Sequence, residues 1–197
     1  DVIEGGNRVD ALKLIRNIIL VTFLFEAIGS VLIYFSIRGR YDTLSMAIFS
    51  ATFHSISAFC NAGIDLFREN FVFYHNHLLT TFTLTFLIVS GGIGFSVMVD
   101  IKRNFIQKVN PSRFSVHTKL VLVTTAWLLI LGFVLYFIAE FNHSMSGYSL
   151  KDRIIGSLFQ SVSTRTAGFD YIDLTQLSQA SAFISLFLMF IGASPGS

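Results

Sequence analysis

One segment of the chain occurs twice. Phe53-His54-Ser55-Ile56-Ser57, followed by Asn61-Ala62-Gly63-Ile64-Asp65, returns as Phe159-Gln160-Ser161-Val162-Ser163, followed by Thr166-Ala167-Gly168-Phe169-Asp170. The offset is 106 residues at the phenylalanines and 105 at the glycines, so one residue is lost inside the second copy. Each copy is a polar run ending in one glycine, within a chain that is 53% apolar and only 13% charged. With a mean hydropathy of +0.66 there is too little polar surface to dissolve one globular domain of this length, and a bilayer is the expected environment. A long period with matching element order is what a duplicated membrane hairpin predicts.

Taking roughly 20 apolar residues to cross a hydrocarbon core of about 30 Å, four spans are expected, over residues 11–37, 78–99, 117–139 and 174–197. Residues 44–59 and 150–163 lie between the members of each pair and are apolar but rich in Ser, Thr, His or Gln. Each is too short and too polar to cross against lipid. A re-entrant half-helix followed by a loop, 60–64 in one copy and 164–169 in the other, fits better. Irregular backbone survives at membrane depth only where protein or a water-filled cavity satisfies its amides, so two such loops imply an enclosed polar path. The expected fold is an all-α membrane protein made of helix, re-entrant pore helix plus filter loop, and helix. One such unit occupies residues 1–105 and a second, truncated one 106–197.

The formal charge of +2 is too small to argue for a nucleic-acid partner. A single cysteine, Cys60, excludes a disulfide framework or a multi-thiolate metal site within one chain. The chain opens on Asp1 without a signal-like segment and stops at Ser197 without a polar tail, so it is expected to be part of a longer protein. Residues 100–119 carry Lys102, Arg103, Lys108, Arg113 and Lys119 against one acid, whereas Asp65, Arg68, Glu69, Asp170 and Asp173 follow the loops. The positive-inside rule puts the connector in the cytoplasm and opens the loops to the outside, with Arg38 and Arg40 running against that assignment.

A row of inward-pointing peptide oxygens can replace the hydration shell of a cation such as potassium. Glycine permits that geometry because it reaches positive φ without a Cβ clash. A short helix aimed at the loop adds the negative end of its dipole. The candidate ion-binding carbonyls are those of Cys60, Asn61, Ala62 and Gly63, and of Arg165, Thr166, Ala167 and Gly168. Asp42 and Ser149 are the expected caps of the two half-helices, and the hydroxyls of Ser55, Ser57, Ser161 and Ser163 are expected to brace the loops from behind.

At these residues the chain resembles a known family. The runs FHSISAFCNAGID, SGGIGF, QSVSTRTAGFD and LFLMFIGASPGS are similar to the membrane subunit of the Trk/Ktr/HKT potassium transporters, in particular the Ktr-type sodium-dependent uptake proteins. The resemblance covers essentially the whole chain. It implies two units, the second and third, of four around a pseudo-fourfold pore in the plasma membrane. It also implies potassium uptake with sodium required or co-transported, and no cofactor or enzymatic activity. Gly192, Ser194, Pro195 and Gly196 match the start of an intramembrane loop that gates beneath the filter. Cys60 departs from the pattern, since members commonly carry Asn there. Partners implied are membrane lipid, a second copy of the full-length subunit, and a cytosolic nucleotide-binding regulatory ring.

Other readings of single residues stand beside these. Asp65 and Asp170 either focus cations at the outer mouth or brace the loops. Arg165 is expected to turn away from the path toward an acid such as Asp170, because a cation inside would repel the substrate. Glu26, mid-span, is an intramembrane acid and so a functional candidate, with a hydrogen bond between helices the better explanation. His54 has no ligand partner at i+3 or i+4, and its match Gln160 favours hydrogen bonding over metal. Residues 90–94 are either a hinge or small residues at a close helix contact. An uncoupled potassium channel is the nearest alternative, although channel filters carry a longer Thr-Val-Gly-Tyr-Gly type run. A scaffold would leave the polar half-helices without a purpose. Gly192-Ala193-Ser194-Pro195-Gly196 also fits the G-x-S-x-G pattern of serine hydrolases, a distant enzyme alternative that needs a strand-to-helix elbow.

Overall fold

In the computed structural model, residues 2–66, 77–106, 114–172 and 174–194 are described. Among them the regular structure is helical throughout. The order is α1 Val2–Ile37, a 3-10 turn Arg38–Arg40, α2 Leu44–Phe59, α3 Leu78–Ile93, α4 Phe95–Ile106, α5 Val116–Glu140, α6 Leu150–Thr166, a 3-10 turn Leu174–Gln176, and α7 Gln179–Ile191.

Three helices start on a serine whose side chain accepts from an amide of the first turn. Ser115 takes the amide of Thr118, Ser149 that of Asp152 and Ser178 that of Ser181. α2 is different. Its N-cap is Thr43, without a side-chain bond, so the expected cap Asp42 lies one residue too early.

Among the described residues, two helices are long and apolar enough to cross a membrane, Ile15–Arg40 and Val116–Glu140. Their apolar windows are only 11% and 17% buried, and Leu20, Phe23, Trp127 and Ile130 stand exposed, an arrangement that suits lipid and not water. The remaining spans differ from expectation. The helix expected over 78–99 breaks at Gly94 (φ 92°), where Leu78–Ile93 and Phe95–Asn104 bend by 97°. A glycine-rich stretch offers little resistance to such a kink. The helix expected over 174–197 shortens to the 13 residues of α7, which end at Gly192.

The polar helices α2 and α6 are the buried ones, carrying Ser50, His54, Ser55, Ser57, Ser157, Gln160, Ser161, Ser163 and Thr164 out of solvent. They pack in one core with Ile33, Leu84, Leu87, Ile88, Phe59, Phe159, Met145, Phe169 and Tyr171. Close approach is made possible by missing side chains. A Cβ at Gly29 would collide with the Ser55 hydroxyl and Leu87, and one at Gly132 with the Ser161 hydroxyl and Leu188.

Asp100, on α4 beyond the bend, ties that helix to the start of α5. It accepts from the Thr118 hydroxyl at 2.7 Å and the Ser115 amide at 3.1 Å, and these bonds hold its carboxyl below the usual carboxylate range.

Candidate functional site

The two loops that follow α2 and α6 meet. A Cβ on Gly63 would overlap the Ala167 carbonyl oxygen and come within 3.1 Å of Gly168 Cα, and one on Gly168 would lie 3.8 Å from Gly63 Cα. Thr166 Oγ1 donates to Asn61 Oδ1 at 3.2 Å. Gly63 (φ 66°) and Gly168 (φ 77°) both occupy the left-handed region that side chains disfavour. Sequence-distant peptides 105 residues apart therefore stand backbone to backbone, at the C-terminal ends of two buried helices.

The same bonds hold each loop. The amide of Ala62 donates to Ser57 O at 2.8 Å, and that of Gly168 to Ser163 O at 3.1 Å. The hydroxyl of Ser57 donates to Ile64 O at 2.8 Å, and that of Ser163 to Phe169 O. Ser55 and Ser161 do not brace the loops as expected. Their hydroxyls donate outward, to Glu26 O on α1 at 2.7 Å and Leu129 O on α5 at 2.9 Å, because Gly29 and Gly132 let those helices come close.

Cys60 caps α2, is exposed, and places Sγ 3.9 Å from Glu26 Oε1, so Glu26 faces the loop of the first copy. Ala62 and Gly168 are exposed, and Ala167 is buried. Arg165 and Thr166, expected within an irregular loop, form the last turn of α6, which runs past residue 163 to Thr166. The expected turn of Arg165 toward Asp170 is overturned. Its Nε and Nη2 donate instead to Gly192 O, at 3.2 and 2.9 Å, because the end of α7 presents a carbonyl at that point.

Asp65 is bound from inside. His54 Nε2 lies 2.8 Å from its Oδ1, while Nδ1 lies 2.6 Å from Ser50 O, which fixes the imidazole between helix and loop. Both ring nitrogens are engaged in that brace.

Gly192 ends α7 at φ 65°, and the Ser194 amide donates to Gly92 O at 3.2 Å. Pro195, Gly196, Arg68, Glu69, Lys108, Arg113 and Asp173 lie outside the described residues. The hydrolase pattern loses its elbow, since Gly192 follows a helix where a nucleophile serine needs a strand. Of the two readings of residues 90–94, the close contact falls at Gly91. A Cβ there would collide with Phe59 O and approach Asn61 Nδ2 to 3.0 Å, so the glycine cluster of α3 admits the end of α2.

A chain whose described regular structure is helical, with two long, lipid-suited helices beside a buried polar pair, is an integral membrane protein. It matches the TrkH model, described as cation transport protein, over residues 3–197, and it belongs to that family. It is 36% identical over 193 residues to the Ktr system potassium uptake protein B of Vibrio alginolyticus, covering 96% of this chain and 42% of that protein. Identity to the Ktr system potassium uptake protein B of Bacillus subtilis is 33% over 186 residues, 93% of this chain and 41% of the relative. The potassium/sodium uptake protein NtpJ of Enterococcus hirae is 32% identical over 187 residues, 94% of this chain and 40% of the relative. The chain thus spans about two fifths of the length of these relatives, whose names describe uptake and not enzymatic chemistry.

Proposed function

We propose that this chain supplies two of the four pore units of a potassium uptake protein. Its ion path is formed by the carbonyls of residues 60–63 and 165–168, with residues 1–105 as one unit and 106–197 as the other. The observation that carries the reading is the pairing of Gly63 with Gly168 at the ends of α2 and α6. Two helix C-termini directed at one spot give it negative potential. Glycines at positive φ turn successive peptide oxygens without a side chain in the way.

The matched bonds of Ser57 and Ser163 support a duplicated unit, the names of the relatives support potassium, and the name of NtpJ alone supports sodium as a second ion. In this reading α2 and α6 are re-entrant pore helices and the loops open outward. The connector at residues 100–119 faces the cytoplasm of a plasma-membrane protein, and residues 192–196 gate the path from below. The full-length subunit pairs with a second copy and docks on a cytosolic nucleotide-binding ring. Asp65 serves the site as a brace for the first loop through His54.

The test is uptake by the full-length protein in cells lacking other potassium systems, with and without sodium. Gly63→Ser and Gly168→Ser are each expected to weaken discrimination between potassium and sodium by about tenfold, the loss of one well-formed coordination geometry. Unchanged selectivity in both variants would remove these positions from the ion path.

A further inference from the structure

The end of α7 is held by a charge. The last carbonyls of a helix have no partner within it, and at Gly192 that vacancy is filled by two donors of one guanidinium, Nε and Nη2 of Arg165. Bonds of this kind, with an ionised donor, are among the stronger ones in proteins. The cation also sits in the last turn of α6, so it meets the negative ends of two helices at once. Two residues on, the Ser194 amide is tied to Gly92 O, and Gly92 lies beside Asn61, Thr166 and Ala193. Residues 192–194 therefore form a strap fastened at one end to α6 and at the other to α3. A cavity of about 150 Å³, lined by Thr124, Thr125 and Leu128 of α5 and by Arg165, Gly192 and Ser194, lies alongside and leaves the strap room to move.

We propose that the side chain of Arg165 is a positioning group that pins this strap against the two glycine loops, so that residues 192–194 leave their place only when the guanidinium lets go of Gly192. This assigns the side chain a role separate from the carbonyl of the same residue. It deepens the reading of residues 192–196 as a gate and rests on it only for its consequence in transport.

The experiment reads the strap directly. In the intact membrane-embedded protein with Cys60→Ser, a cysteine is introduced by Ser194→Cys and its rate of reaction with a small methanethiosulfonate reagent is measured. Arg165→Gln is expected to speed labelling about tenfold, through loss of both charge-assisted bonds. Arg165→Lys is expected to speed it about threefold, since an ammonium keeps one bond but not the fork. Ser157→Cys, at a fully buried position of α6, reports on general loosening and is expected to stay slow in either variant. Unchanged labelling at 194, or equal acceleration at 157 and 194, overturns the proposal. Should Arg165→Gln not reach the membrane, the milder lysine variant decides by itself. Labelling needs no ion flux, whereas the filter reading is judged by the selectivity of the Gly63 and Gly168 variants, so either can fail without the other.

Discussion

The half of the molecule around α2 and the half around α6 hold their loops in the same way but surround them with different charges. In each, a serine hydroxyl reaches the carbonyl just past the glycine, from Ser57 to Ile64 and from Ser163 to Phe169. In each, a second serine two positions earlier reaches back to the preceding long helix, from Ser55 to Glu26 and from Ser161 to Leu129. The neighbours then diverge. The first loop has Glu26 near Cys60 and a His54–Asp65 brace. The second has the guanidinium of Arg165, and Gln160 in the place of His54 has its Oε1 buried without a hydrogen-bond partner among the described residues. What is shared fixes the direction of peptide oxygens, and what differs sets the field around them. The shared part of the loop shape is thus a property of main chain and hydroxyls, while the His54–Asp65 brace is an addition of the first half alone.

The two glycines are the sharpest way to break that comparison. Both have positive φ, which costs a side chain about 1 to 2 kcal/mol, but only at Gly63 would a Cβ also overlap a backbone atom, the Ala167 carbonyl oxygen. Gly63→Ala is therefore expected to lose about 3 kcal/mol or more, strain and overpacking together. Gly168→Ala should lose about 1 kcal/mol, the conformational part alone. Denaturation midpoints in detergent check the order. Equal losses would mean that the loops are farther apart than they stand here.

A smaller difference is expected where the long helix of each half meets the helix that follows the loop. In the first half the link is one hydroxyl pair, Thr80 Oγ1 to Ser36 Oγ at 2.6 Å. In the second it is a fully buried carboxylate, Glu140, accepting from the Ser178 amide at 3.0 Å and the Ser178 hydroxyl at 2.7 Å, and from the amide and hydroxyl of Ser144. An amide replacing the carboxylate turns one acceptor into a donor facing donors. Glu140→Gln is expected to cost about 2 kcal/mol and Ser36→Ala about 1 kcal/mol by the same denaturation measurement. A reversed order would make the neutral link the stronger one.

Local patterns of the sequence foretold the parts of this arrangement that local physics decides. The apolar run at residues 44–59, the serine cap at 149 and the two glycines in repeated context each carry their signal within a few residues. The misses involve partners far along the chain. Arg165 finds a carbonyl 27 residues away, and Glu140 gathers donors from position 178, whereas Asp65 takes the bracing role that was one of its two readings, with His54 as its partner. None of these has a periodicity to read. The break at Gly94 failed for another reason. Residues 78–99 are uncharged, and hydropathy measures how well a segment suits lipid, not whether its axis stays straight. The cluster at residues 90–94 offered a hinge or a close contact, and it supplies both: Gly94 bends the chain and Gly91 admits Phe59 O.

The smallest effect separates hydroxyl from main chain within the shared bonds. Ser57 Oγ both donates to Ile64 O and accepts from Ile64 N at 3.0 Å, so Ser57→Ala releases an amide and a carbonyl together, at about 1.5 kcal/mol. Ser163→Ala removes the donor to Phe169 O but leaves the Ser163 carbonyl, which still binds the amides of Ala167 at 2.9 Å and Gly168 at 3.1 Å. Amide hydrogen exchange tells the two apart. It should quicken at Ile64 in Ser57→Ala and hold steady at Ala167 and Gly168 in Ser163→Ala, because an amide exchanges at the rate at which its own bond opens. If the Ala167 and Gly168 amides quicken as much as Ile64 does, the second loop depends on its hydroxyl no less than the first, and the division between what main chain holds and what side chains hold would have to be redrawn for that half.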